Sequence, residues 1–138
     1  MSSTPRNLEP FYVVDTHALA WYILKDSKLS HAAISIFQAA ETYQTILTIP
    51  TIVIAELYYA NLKKKWFMDF VSVYDDIISR PYYAFYPLTH THVRDFVQDV
   101  SVPEMHDRII VGVARRLGAP LISADTSITA SGLVRVIW

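Results

Sequence analysis

The sequence predicts an α/β domain organised around a largely parallel sheet. Apolar runs of strand length alternate with helical patterns along the chain, and no repeat, low-complexity tract or linker divides it. Residues 12–14 read as the first strand, followed by a helix over residues 16–24. Ser30 is the expected N-cap of a helix whose apolar stripe is Ala33, Ile36, Phe37 and Ala40. Residues 45–49 are strand-like and stop at Pro50. The helix expected next, over residues 51–64, is apolar on most sides and so should be buried on most sides. Residues 66–79 form an amphipathic helical pattern, with Phe67, Phe70, Tyr74 and Ile77 on one face and Asp69, Ser72, Asp76 and Ser79 on the other. Residues 82–86 are aromatic and strand-like. Val93, Phe96, Val97 and Val100 mark another helix, and residues 107–117 a further one that ends before Gly118. Residues 120–123 and 134–137 are the last strands. Ligands of such a sheet collect at the carboxyl ends of its strands.

At 138 residues the chain has length for one domain with a substantial core, and 52% hydrophobic residues exclude general disorder. Residues 1–10 read as a flexible tail and residues 11–138 as a single domain. No apolar run is long enough to span a bilayer, so no membrane role is expected. The absence of cysteine excludes disulfides and thiolate chemistry and fits a reducing, cytoplasmic setting. A net charge of −1 provides no global field toward nucleic acid, leaving only the local cations Lys63, Lys64 and Lys65 and the pair Arg115 and Arg116. Each cluster, taken alone, is best read as a solvated helix end.

Four of the thirteen acids stand in apolar company. Asp15 is the only residue certain to be charged between Glu9 and Lys25; Glu56 is alone between Pro50 and Lys63, and Asp125 between Arg116 and Arg135. Asp107 shares a helical stripe with Ile110, Ala114 and Leu117. Burying a carboxylate is costly unless a cation or several donors replace its water. Asp15 and Asp125 both fall where a strand ends and a helix begins, which in a parallel sheet puts them on one edge.

Simple helix capping accounts for either of these two alone. Asp107 has an alternative partner in Arg108 or the helix dipole, and Glu56 in a buried hydroxyl or lysine. Four convergent carboxylates, however, require compensation, and a hard divalent cation with a preference for oxygen provides it. Asp26, Asp69, Asp75, Asp76, Asp95 and Asp99 sit in polar faces or turns and need no special role.

Other motifs are weaker. His90 and His92 point apart on a helix, and there is no cysteine and no HExxH, against zinc. Three glycines and no glycine-rich loop argue against nucleotide cradles. His17 and His106 lie beside Asp15 and Asp107 and are read either as helpers of substrate or as ordinary packed residues. The aromatic residues 82–86 fit a core strand better than a base-stacking surface.

Together, VVDTHALAW around Asp15, IAELYYA around Glu56 and HDRIIVGVARRLGAPLISADTSI with Asp107 and Asp125 resemble the motifs of the PIN-domain family, in particular VapC-type toxins of toxin–antitoxin pairs. The resemblance extends over residues 12–138. It implies a three-layer α/β/α sandwich with a largely parallel sheet and a pocket in which Asp15, Glu56, Asp107 and Asp125 hold Mg²⁺ or Mn²⁺. It further implies endonucleolytic hydrolysis of RNA, Thr16 supporting the acids by a hydrogen bond, a homodimer and a cognate antitoxin. Tyr58, Tyr59 and Lys63 are the expected antitoxin contacts. Ala60 stands where the family often has glycine, and Val111 and Val113 where smaller residues are common. The competing class is a PIN-like scaffold that binds RNA or protein without cutting. A phosphatase or structure-specific DNA nuclease on a related metal site is a third.

Overall fold

The structure is a computed structural model, and residues 7–67 and 69–138 are described. Five strands, β1 (Phe11–Val14), β2 (Ile46–Pro50), β3 (Tyr83–Tyr86), β4 (Leu121–Ile122) and β5 (Val136–Ile137), form one sheet in the order β3-β2-β1-β4-β5. Every pairing is parallel. Seven helices connect or flank them: α1 (Thr16–Leu24), α2 (His31–Glu41), α3 (Thr51–Lys64), α4 (Phe70–Ser79), α5 (His90–Asp95), α6 (Met105–Leu117) and α7 (Thr126–Ser131). The expected α/β class is the one observed. Among the described residues no helix is long and apolar enough to cross a membrane.

Tyr12, Val13 and Val14 are consecutive and all at most 1% exposed. Successive strand side chains point to opposite faces, so both faces of β1 are covered. The chain passes from β1 to β2 to β3 by way of α1 to α4, then returns past β1 to β4 by way of α5 and α6 and reaches β5 through α7. The direction of travel therefore reverses between β1 and β4. The ends of these two strands are joined there, Val13 N donating to Pro120 O at 2.9 Å and Asp15 N to Ile122 O at 3.1 Å. This reversal is the place where parallel sheets open a crevice.

Local chemistry sets the helix ends. Ser30 Oγ accepts from Ala33 N at 3.1 Å, as its N-cap position predicts. Gly118 closes α6 at φ 61°, a left-handed conformation that glycine adopts without a Cβ penalty. The tail expected over residues 1–10 lies outside the described residues at positions 1–6. Within the remainder, Glu9 O accepts from Thr45 Oγ1 at 2.7 Å.

Several expectations are corrected. α3 is not buried on most sides: Val53 and Leu57 are enclosed, whereas Tyr58, Tyr59 and Leu62 are exposed. One edge of the helix meets β2, α1 and α6; on the other, Tyr58 meets Phe70 of α4 edge-on while Tyr59 and Leu62 face water. The helix expected from residue 66 begins at Phe70, because Asp69 Oδ1 caps Val71 N at 3.0 Å and Asn61 Oδ1 holds Phe67 N at 2.7 Å in the preceding turn. Residue 68 of that expected helix is outside the described residues. Of its apolar face only Ile77 is fully buried, and Tyr74 is exposed.

The helix marked by Val93, Phe96, Val97 and Val100 is broken into α5 and a 3₁₀ turn, and Val93, Val97 and Val100 face water. Asp99 decides that orientation. It is not in a polar turn but 0% exposed, with both oxygens bonded by the guanidinium of Arg115. Turning Asp99 toward α6 turns the valines outward. Asp95 likewise pairs with Arg116, so the two arginines, in the last turn of α6 as expected of a helix end, are also ion-pair partners.

Breaking a buried pair from its exposed side leaves the other charge stranded. Arg115→Met should therefore lower unfolding stability by about 3–5 kcal/mol. The double variant with Asp99→Asn should recover part of that loss, both read by urea denaturation.

Candidate active site

Three strand and helix ends and one helix face build a single cavity of about 360 Å³. Its lining includes Asp15, Glu56, Asp107 and Asp125, with Thr16, His17, Trp21, Ala60 and Ala124. All four acids singled out in the sequence thus face one space. No lysine or arginine is among the lining residues.

Asp15 terminates β1 and caps α1. Its Oδ1 accepts from Thr16 N and its Oδ2 from Ser123 Oγ, both at 2.7 Å. Burial pushes its pKa up, against the lowering effect of those two donors and of His17; Asp125 adds to the rise. Asp125 follows β4 and caps α7, with Oδ1 accepting from Ser127 N at 2.8 Å, Ile128 N at 3.2 Å and Ser127 Oγ at 2.6 Å. Burial acts to raise its pKa, but hydrogen bonds from Ser127, Ile128 and Asp107 prevail and hold it low. Capping and cavity lining are therefore not alternatives. In Asp125, Oδ1 caps the helix while the same carboxyl group faces the cavity.

Glu56 reaches the cavity from α3, where Thr16 Oγ1 donates to its Oε1 at 2.8 Å. The partner sought for this mid-helix acid is a threonine hydroxyl. Burial raises its pKa, and the charge of Asp15 adds to that. Asp107 lies in the first turn of α6, and its backbone N–H is taken by Glu104 Oε2 at 2.8 Å. Arg108 does not pair with it; that guanidinium bonds the carbonyl oxygens of Val102 and Val100. Burial first, then the charges of Asp125, Asp15, Glu104 and Glu56, drive the Asp107 pKa up to about 7.

Two residues were not foreseen. Ser123 is fully buried at the end of β4; besides donating to Asp15 it accepts from Asp125 N at 3.0 Å, so one hydroxyl fixes two of the acids. The spacing Ser-x-Asp after a strand was its only trace in the sequence. Glu104 is a fifth acid, the N-cap of α6, with Oε1 2.6 Å from His106 Nδ1. His106 thus pairs with Glu104 at the site's edge.

The donor set fits a hard divalent cation: carboxylate oxygens, no competing ammonium or guanidinium, and one acid kept partly protonated by its neighbours. Among the described residues no three acids or histidines are drawn together as closely as ligands of one ion. Each of Asp15, Glu56 and Asp125 is instead held by its own hydroxyl or amide donor. The set of oxygen donors is present, but the acids are held apart by their own hydrogen-bond partners.

A parallel α/β sheet with an acid-lined crevice at its topological switch places this site where ligands of open α/β sheets bind. The chain matches the PIN domain family model over residues 12–131 and belongs to that family of nucleases. Its fold is similar to VapBC2 from Rickettsia felis, crystallised with a DNA fragment from their promoter: 18% identity, TM-score 0.65, covering 91% of this chain and 96% of that one. It is also similar to DNA-bound VapBC from Salmonella typhimurium, at 17% identity and TM-score 0.62 over 93% of this chain and 97% of that one. Likeness at such identities is a likeness of fold. No curated protein matches the chain in sequence.

The charge crowding has a measurable consequence. Without metal, carboxyl NMR should find Asp107 titrating near pH 7, and Asp125→Asn should lower that value by removing its nearest charge. Asp107 keeps its proton in the native state to higher pH than when unfolded, so its contribution to stability is lost as pH rises from about 4 to about 7. Asp107→Asn should accordingly unfold at higher urea than the parent at pH 8, with the gain vanishing at pH 4.

Proposed function

We propose that this chain is a Mg²⁺- or Mn²⁺-dependent endoribonuclease and the toxin of a toxin–antitoxin pair. The observation that carries the reading is four carboxylates lining one cavity with no lysine or arginine among its described lining residues. A retired binding scaffold has no physical reason to maintain such repulsion. Asp15, Asp107 and Asp125 would hold the ion, with Glu56 completing the acidic set. Such a cation, when bound, offsets charge on the phosphodiester and acidifies water.

The chain's own residues supply positioning. Ser123 holds Asp15 and the backbone of Asp125 in one arrangement, so neither acid rotates away from the other. Thr16 fixes Oε1 of Glu56, which leaves Oε2 to orient an attacking water and to accept its proton. The rise in the Glu56 pKa that burial causes suits that role. Ala60, where the family often has glycine, lines the cavity near Glu56, and its methyl leaves the space open.

The toxin reading is supported by similarity in fold to the two VapBC structures. The exposed face of α3, with Tyr58, Tyr59 and Leu62, is the proposed antitoxin contact together with Lys63. A homodimer, a cytoplasmic location and a single nuclease domain over residues 11–138 belong to the same proposal.

Purified protein should cleave a mixed RNA substrate with Mn²⁺ or Mg²⁺ and stop when chelator is added. Asp107→Asn should reduce the rate by at least about 100-fold, and Ser123→Ala by about 10- to 100-fold through loss of carboxylate orientation. Unaltered cleavage by Asp15→Ala with Asp107→Ala would sink the reading. Co-purification of the antitoxin encoded alongside should weaken with Tyr59→Asp and Lys63→Glu; an unchanged pull-down removes α3 as the contact.

A further inference from the structure

All three tryptophans of the chain are linked by ring contacts beside the acidic cavity: His17 meets Trp21 and Trp66, and Trp138 meets Trp21. Trp21 and His17, from α1, line the cavity itself. His17 lies 5.5 Å from Trp21 and 5.9 Å from Trp66, which follows α3, and Trp138 lies 5.7 Å from Trp21. These rings are not enclosed: Trp21 and Trp66 are half-buried, His17 is exposed and Trp138 is 40% exposed. Nor do they cover one another. The three contacts are tilted or edge-on, at 54° to 81° between planes, whereas the core pair Tyr22 and Phe37 stacks at 14° and 4.1 Å. Core packing accounts for Tyr22 and Phe37, whereas Trp21 and Trp66 pack against the core only in part, and Trp21 also has Lys28 Nζ over its ring at 5.8 Å.

We propose that His17, Trp21 and Trp66, continued by Trp138, form a base-stacking subsite for single-stranded RNA at the mouth of the acidic cavity. The choice of RNA rests on the ribonuclease reading above. A cavity lined by acids repels phosphates, so grip on the strand beside it has to come from neutral contacts. Aromatic faces provide it, because every base has a π-face. Phosphates farther along the strand meet cations: Lys63, Lys64 and Lys65 are exposed and immediately precede Trp66. Paired bases keep their faces inside the helix, so the same rim discriminates against duplex.

The test is a titration of tryptophan emission in the full chain, with chelator present so that nothing is cut. The probes are a short mixed-sequence single-stranded RNA and the same strand annealed to its complement. The single strand should quench the emission and the duplex should not. Trp66→Leu keeps apolar bulk but has no ring, and should weaken binding of the single strand by about tenfold. Trp66→Phe should restore most of it. In cleavage with Mn²⁺, Trp66→Leu should raise KM and leave kcat near that of the parent.

Quenching by the single strand without any cleavage would uphold the subsite and sink the ribonuclease reading. Cleavage of RNA by the parent, with Trp66→Leu binding and cutting single strands equally well, would overturn the subsite alone. Equal binding of strand and duplex without quenching would also overturn it and assign the rings to a protein partner.

Discussion

Mutual repulsion among acids at the carboxyl ends of β1 and β4 is the constraint around which this domain is arranged. Asp15 and Asp125 stand at adjoining strand ends because the sheet reverses its direction of travel there, and α3 and α6 bring Glu56 and Asp107 to the same space. Such a cluster is unfavourable in the folded chain. It persists because the elements that carry it are fixed by interactions unrelated to it: the buried residues 12–14 of β1, the buried β4, and the caps of α1 and α7. Asp107 registers the repulsion, since burial and four neighbouring charges act on it in one direction.

The hydrogen bonds around the acids divide the load. Asp15 and Asp125 each commit one oxygen to a cap, which ties their positions to helix geometry and not to a flexible loop. Ser123 then couples the two across β4, and Thr16 couples α1 to α3 through Glu56. The same short segment after β1 thus serves three ends at once: strand end, helix start and link to the opposite acid. Among the described residues every buried side-chain nitrogen or oxygen has a hydrogen-bond partner, so the site's strain is electrostatic and not a matter of unmet donors.

Away from the cavity the surface has two characters. Beside it, aromatic rings stand half out of the core next to lysines, a pairing suited to an unpaired strand. On α3, and separately at Val93, Val97 and Val100, apolar side chains are exposed in numbers that a helix packed on all sides would not show. The buried salt bridge of Asp99 and Arg115 is what turns that second group outward, so a polar pair in the interior shapes an apolar surface outside.

The sequence by itself determined the parallel α/β class, the limits of α1 and α3, the cap at Ser30, the stop at Gly118 and the four acids. These are legible because they are local: a strand needs a run, a helix needs a period and a cap, and a lone acid in apolar company stands out against its neighbours. Ser123 and Glu104 escaped notice because a serine or a glutamate in polar company looks ordinary until its partners are known. The burial of Asp99, the outward valines and the exposed edge of α3 were read wrongly because periodicity gives the stripe of a helix but not the direction in which it is turned. That direction, and with it the gathering of the three tryptophans beside the four carboxylates, was decided by the tertiary structure alone. It depends on the order of strands and on ion pairs between residues far apart in the chain, and no window of neighbouring residues contains either.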